Sequence, residues 1–270
     1  MKKVGPVLAL LSISALTVMP SPWAQAASFN NASVKGSYSF LINLRTANAS
    51  TNQFAMVGVL TFNGAGSVKG SYTSISSDTV QTGNLGGTYS VASNGTGTMK
   101  FTTGSTAQFA ITINSTVAGL AHGLQLLQTN DDNNQIASGT AILQATTAET
   151  YSTASLQGNF AFQYNPWTVE LALAEDGGIG VWSFDGKGTV TSAESIMYDG
   201  KLLKGSDSFH YTVNPDGTGT IAPPTGGKGP HFAFALNTAT GTQAAALQFL
   251  DTNTSDGPGD LVITGAALKQ

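Results

Sequence analysis

The run FDGKGTV, residues 184–190, holds an aspartate, two glycines and a lysine within four positions. That is the raw material of a cation loop or a phosphate loop, but its pattern fits neither. Calcium takes six or more oxygens, usually from several carboxylates at fixed intervals. A Walker-type phosphate loop ends in Gly-Lys-Ser/Thr and opens a helix. The chain contains three related runs, NGAGS from Asn63, NGTGT from Asn94 and DGTGT from Asp216, beside DGKGT from Asp185. Asn-Gly and Asp-Gly favour hairpin turns because these residues tolerate positive φ. A second glycine two places on suits a bulge that restores the strand ladder. All four runs are therefore expected to be turns, and no metal or cofactor site is expected in them.

The histidines are His122, His210 and His231. His210 precedes Tyr211 and His231 precedes Phe232, so alternation places both on an outer face, as solvated side chains rather than metal ligands or a catalytic base. The C-terminal half carries Glu170, Glu175, Asp176, Glu194, Asp199 and Asp207, which could supply the two carboxylates of a glycosidase. The chain has no GxSxG run and no cysteine, so neither nucleophile pattern is available. The binding candidate is YNPWTVELALAEDGGIGVW, residues 164–182. Tyr164, Trp167 and Trp182 are expected to form the aromatic rim of a ligand mouth, with Leu171 and Leu173 beside them. A small barrel can enclose one small or carbohydrate-like ligand there. The alternative is an apolar loop that covers one barrel end or docks two halves of the chain.

The chain is written twice. ASVKGSYSF (32–40) matches ASLQGNFAF (154–162), VGVLTFNGAGSV (57–68) matches IGVWSFDGKGTV (179–190), and YSVASNGTGT (89–98) matches YTVNPDGTGT (211–220). FAITIN (109–114) matches FAFALN (232–237), LQLLQTN (124–130) matches LQFLDTN (247–253), and SGTAIL (138–143) parallels TGAALK (264–269). The offset drifts slightly between blocks, as insertions in loops allow. The modules are expected over 27–144 and 155–270, joined by a linker over 145–154. The segment equivalent to 164–182, residues 42–60, is bland and polar in its first half.

Each module reads as eight short strands rich in Val, Ile, Thr, Tyr and Phe between glycine and asparagine clusters. In the first they are expected near 36–44, 55–62, 67–75, 86–92, 97–103, 107–114, 121–129 and 136–143. Tyr38, Phe40 and Ile42 share one face and Phe160, Phe162 and Tyr164 repeat them. Phe109, Ile111 and Ile113 are repeated by Phe232, Phe234 and Leu236. One apolar face at a period of two marks a half-buried antiparallel sheet. The fold class is all-β, two tandem antiparallel modules of about eight strands, expected as up-and-down barrels that leave no open edges. Two-sheet sandwiches are the runner-up. A single membrane barrel of sixteen strands is disfavoured by strands shorter than about 9–11 residues and by aromatics that follow the repeat rather than two girdles.

Residues 1–26 have the layout of a secretory signal peptide: Lys2 and Lys3, an apolar run over 4–19, and AQA at 24–26. Secretion to the periplasm, cell surface or medium is expected, with no transmembrane segment after the signal is removed. Charged residues make up 10% of the chain and the net charge is −4. Without Lys2 and Lys3 the balance is nine basic to fifteen acidic residues, a poor surface for nucleic acid. The acidic excess lies entirely in the second half.

The LxGxYxF-like openings, the FxGxGxV turns, the YxVxxDGTGT run and the FAFxLN strand resemble uncharacterised modules in exported proteins of environmental bacteria, notably acidobacterial ones. The resemblance covers both modules. It implies export and β modules, and it brings no established activity and no catalytic residues. Three functions follow as expectations. The first is an exported non-enzymatic protein binding a small or carbohydrate-like ligand through the second module. The others are a structural or adhesive cell-surface module, and a hydrolase using second-module carboxylates.

Overall fold

A computed structural model describes residues 28–46, 54–76, 79–130, 135–147, 149–167, 175–198, 200–225, 227, 229–253 and 262–270. The expected signal peptide lies outside the described residues. Among them, no helix is long and apolar enough to cross a membrane. The first eight strands are β1 (Lys35–Thr46), β2 (Phe54–Asn63), β3 (Ser67–Ser76), β4 (Thr79–Val91), β5 (Thr96–Thr103), β6 (Gln108–Val117), β7 (Leu120–Gln128) and β8 (Gln135–Ala145). The second eight are β9 (Gln157–Trp167), β10 (Glu175–Asp185), β11 (Thr189–Tyr198), β12 (Lys201–Val213), β13 (Thr218–Ala222), β14 (Phe232–Thr240), β15 (Gln243–Asp251) and β16 (Val262–Lys269). Each set closes into its own antiparallel barrel, β1 pairing with β8 and β9 with β16. Barrels, not sandwiches, are formed, and the sixteen strands make two closed rings rather than one.

Strand β4 begins at Thr79, several residues before the expected 86. Residues 79–84 are exposed or half-buried, so their side chains carry no apolar alternation. They are held instead by pairing with β3, from Ser76↔Thr79 onward.

The glycine runs are turns, and the geometry explains why Asn and Asp exchange in them. Asn63 Oδ1 accepts from the N–H groups of Ala65 (2.8 Å) and Ser67 (2.9 Å). Asp185 Oδ1 accepts in the same way from Lys187 (2.7 Å) and Thr189 (2.9 Å). Asn94 and Asp216 repeat each other as well, each taking the backbone N–H and the hydroxyl of the threonine two places on. Only the acceptor oxygen is used, so either side chain serves. Gly186 and Gly188 sit at φ 74° and 112°, which glycine adopts without a steric cost.

At the turn end, each barrel is preceded by a 3-10 turn, Asn31–Ser33 and Thr153–Ser155. The Tyr89 hydroxyl lies 3.0 Å from the Asn31 carbonyl and 2.7 Å from that of Val34. Tyr211 addresses the carbonyls of Thr153 and Leu156, both at 3.0 Å. Val34 and Leu156 are fully buried beneath these turns. An edge-to-face trio repeats at this level. Tyr38, Phe62 and Tyr89 have successive ring centroids 5.3 and 4.9 Å apart, and Phe160, Phe184 and Tyr211 have theirs at 5.3 and 5.1 Å.

The barrels dock through outward-facing residues. Ala55, Val57, Val59 and Ile75 from β2 and β3 form one apolar cluster with Ala233, Ala235, Leu250 and Val262 from β14, β15 and β16. Ser39 is fully buried there. Its hydroxyl donates to Asn237 Oδ1, and Gln248 Nε2 donates to Thr140 Oγ1 at 2.9 Å. At the edge, Ser71 Oγ donates to Asp216 Oδ2 at 2.6 Å. Strand β2 is thus buried on both faces, which is why FAMVGVLTF lacks alternation.

Burial holds the Tyr89 and Tyr211 phenols above their ordinary ionisation range. The unfolded chain ionises first, at about pH 10, so each contributes a loss of stability as pH rises beyond that value. Tyr89→Phe is expected to remove part of this alkaline loss and to lower stability at neutral pH by about 0.5–1.5 kcal/mol through the missing hydrogen bond, read from urea unfolding at pH 8 and above pH 10.

The backbone N–H groups of Thr189 and Lys187 hold the Asp185 carboxyl below the usual carboxylate range. Its stabilising effect is present above the unfolded value of about 3.9 and is lost as pH falls through the lower folded value. Asp185→Asn keeps the acceptor without its charge, so its urea midpoint should lie slightly below the parent's at pH 7 and converge with it on acidification. Asp185→Ala should shift the midpoint down at both pH values.

Val59→Asp places a carboxylate in the apolar docking cluster. It is expected to separate the barrels while both stay folded, seen as a larger radius of gyration with unchanged β-sheet circular dichroism.

Candidate functional site

The site that geometry offers is a cavity of about 280 Å³ inside the first barrel, at the end opposite the glycine turns. Ile42 and Leu44 reach it from β1, Phe54 and Met56 from β2, Phe101 from β5, and Phe109 from β6. Ala107 and Ala137 leave the space, and Ser76, Ser105 and Gln128 supply the polar groups. Two of these are oriented by local bonds: Ser105 Oγ accepts from the Ala107 N–H at 3.0 Å, and Gln128 Nε2 donates to the Asn130 carbonyl at 2.9 Å. None of the lining side chains titrates near neutral pH. The cavity can hold a molecule through apolar contact and a few hydrogen bonds, and among the described residues its lining offers no acid, base or metal ligand.

The second barrel puts different side chains at these positions. Through the repeat, Ile42 corresponds to Tyr164, Met56 to Gly178 and Ala137 to Ile263. Deeper in the barrel, Leu60 corresponds to Trp182 and Leu126 to Phe249. The Tyr164 ring fills the place above Gly178, where a Cβ would come within 2.5 Å of it.

Tyr164 and Trp182 were expected on a ligand rim, but the structure places both in the packed interior. Tyr164 is 6% exposed and stacks on Phe162 at 6.2 Å. Trp182 is 2% exposed, with its ring 4.6 Å from Phe162, 4.8 Å from Phe249 and 5.5 Å from Phe232. The physical reason is parity: Tyr164 shares a face with Phe162, and Trp182 with Phe184, and that face points inward. Trp167 pairs with Val262 at the end of β9, and its side chain lies outside the described residues, as do Leu171 and Leu173.

The hydrolase expectation finds less support. Glu170 and Asp199 lie outside the described residues, as do the side chains of Glu175 and Asp176. Glu194 and Asp207 share the inward parity of β11 and β12. Their carboxylate oxygens stand 3.6 and 3.8 Å from the place a Cβ on Gly205 would take. Asp207 is exposed, so this pair is open to solvent. His122, His210 and His231 are all exposed.

Sequence reading names Ile42 and Phe109 only as members of apolar strand faces, and none of Ile42, Phe101, Phe109 and Ala137 as a site residue. The signal was present in the internal alignment, where aromatics in the second module face aliphatics in the first. It marks unfilled volume in the first barrel as much as added volume in the second.

No family model matches the chain, and no curated protein matches it. Among solved structures, it is similar to kievitone hydratase from Nectria haematococca, at 8% identity and a TM-score of 0.28, covering 87% of this chain and 89% of that one. It is also similar to a protein of unknown function of the DUF3598 family from Nostoc punctiforme, at 12% identity and a TM-score of 0.25, covering 87% and 96%. A third is intact Ap-TbpB, N and C lobes, at 8% identity and a TM-score of 0.24, covering 90% and 79%. Likenesses this remote assign no activity, and the fold rests on the strand pairing itself.

Proposed function

We propose that this chain is an exported, non-enzymatic binding protein whose first barrel holds a small, uncharged, mainly apolar molecule. The cavity framed by Ile42, Phe101, Phe109 and Ala137 carries this reading. An apolar enclosure removes ligand surface from water at about 25 cal/mol per Å², and Ser76, Ser105 and Gln128 give it a polar edge that orients one end of the guest. A carbohydrate would need more hydrogen-bonding groups than this lining supplies, so the ligand class shifts from sugar-like to apolar. The site also moves from the second module to the first. Export is supported by the layout of residues 1–26.

Titration with a neutral apolar fluorophore such as N-phenyl-1-naphthylamine is expected to saturate near one molecule per chain. Transplanting the second barrel's residues, Ile42→Tyr with Met56→Gly and Ala137→Ile, should weaken that binding at least about tenfold, or 1.4 kcal/mol, without changing the circular dichroism spectrum. Equal binding by the parent and the transplanted variant would remove the cavity as the site.

A further inference from the structure

The docking of the two barrels is heterologous. One surface of the first barrel, on β8, β1 and β2, meets a different surface of the second, on β14, β15 and β16. Because the chain is duplicated, each barrel also carries the counterpart of the surface its neighbour uses. Apart from β8 and β16, which take part in both surfaces, two halves of the same interface are therefore left uncovered within one chain.

The first uncovered half lies on the second barrel. In the docked surface, a cross-strand row runs Ser39, Val59, Ser71 over β1, β2 and β3, with Ile142 of β8 at its exposed edge. Its counterpart runs Leu268, Ala161, Val181, Ala193 over β16, β9, β10 and β11. Leu268 is 63% exposed, and Ala161 and Ala193 are exposed too. Beside this row, Ile179 and Met197 stand where Val57 and Ile75 are buried, and they are 59% and 38% exposed. A row of apolar side chains across four neighbouring strands, exposed except for the half-buried Val181, is an interaction surface rather than scattered surface apolarity.

The second uncovered half lies on the first barrel. Leu250, fully buried in the docking cluster, corresponds to Leu127, which is 49% exposed. Asn237 and Gln248, buried at the interface, correspond to the exposed Asn114 and Gln125. Ala233 corresponds to Ala110. The identities are kept at four of these positions, and Thr112 in place of Ala235 is the departure.

We propose that a second copy of this chain occupies these surfaces, the Leu127 face of one molecule seating on the Ile179 face of the next and repeating the internal docking between molecules. The interface already present supplies the template. It is not self-complementary, so repetition gives either a closed ring or an open filament. The contact between chains is weaker than the internal one. Ser39, Thr140 and Ser71, which make the internal hydrogen bonds, are replaced by Ala161, Ala266 and Ala193 on the uncovered face. The named side chains on both faces are uncharged, so the association persists at high salt.

Sedimentation equilibrium of the purified protein from micromolar to millimolar concentration tests this. The weight-average mass is expected to rise with concentration toward twice that of one chain or beyond, in low and in high salt. Ile179→Asp and Leu127→Asp alter exposed positions, so both should fold, as circular dichroism will show, and each alone should remain at the mass of one chain. An equimolar mixture of the two should associate again, because each variant retains the face that the other has lost. Three results would overturn the proposal: a parent protein that stays at single-chain mass throughout, association that survives both substitutions, or a mixture that fails to associate.

Discussion

Closure of each eight-stranded ring is the constraint on which the rest of the structure depends. Once β1 pairs with β8 and β9 with β16, strand number and stagger fix the interior, and side chains have to fill whatever volume results. The glycines on inward-facing positions follow from this. A Cβ on Gly180 would meet the Phe162 ring at 2.7 Å, and one on Gly219 would meet Phe234 at 2.3 Å. In each case a ring on one strand lies over a bare backbone on the next. The same scaffold is filled in two ways. The second barrel uses Trp182, Phe234 and Phe249 where the first uses Leu60, Ile111 and Leu126, and the first keeps a cavity at the end away from its turns.

Closure also governs the outside. A ring without edges cannot join a neighbour by adding strands, so contact must be made through faces. The outward positions of β2, β14 and β15 supply that contact inside the chain. A protein built by duplication inherits each face twice, once covered and once bare. The exposed Ile179 and Leu127 are the bare counterparts of the buried Val57 and Leu250.

Much of this was legible in the sequence, for physical reasons. The two-residue period of Tyr38, Phe40 and Ile42 is a property of strands themselves, and the exchange of Asn63 for Asp185 across the repeat identifies a side chain used only as an acceptor. Other features were not legible. Ser39 sits on the polar face of its strand, and nothing local says that a second barrel covers it. The segment before residue 86 forms strand through pairing with β3 and carries no apolar pattern of its own. Tyr164 and Trp182 were legible and misjudged: their difference from the first module suggested a ligand rim, although Tyr164 already shared a face with Phe160 and Phe162. Empty space leaves only a relative mark in a sequence, small or aliphatic residues set against larger ones in the other module, so the cavity beside Ala137 was located only by the packed structure.

The central claim is that one scaffold holds a mainly apolar cavity in its first barrel where the second barrel's equivalent positions carry Tyr164 and Ile263. Diffraction from crystals under xenon pressure measures this directly, since xenon enters dry apolar cavities. The account predicts a xenon peak in the first barrel among Ile42, Phe101, Phe109 and Ala137, and none at the equivalent level between Tyr164 and Ile263. A first barrel without xenon, or with ordered water filling that space, would contradict it.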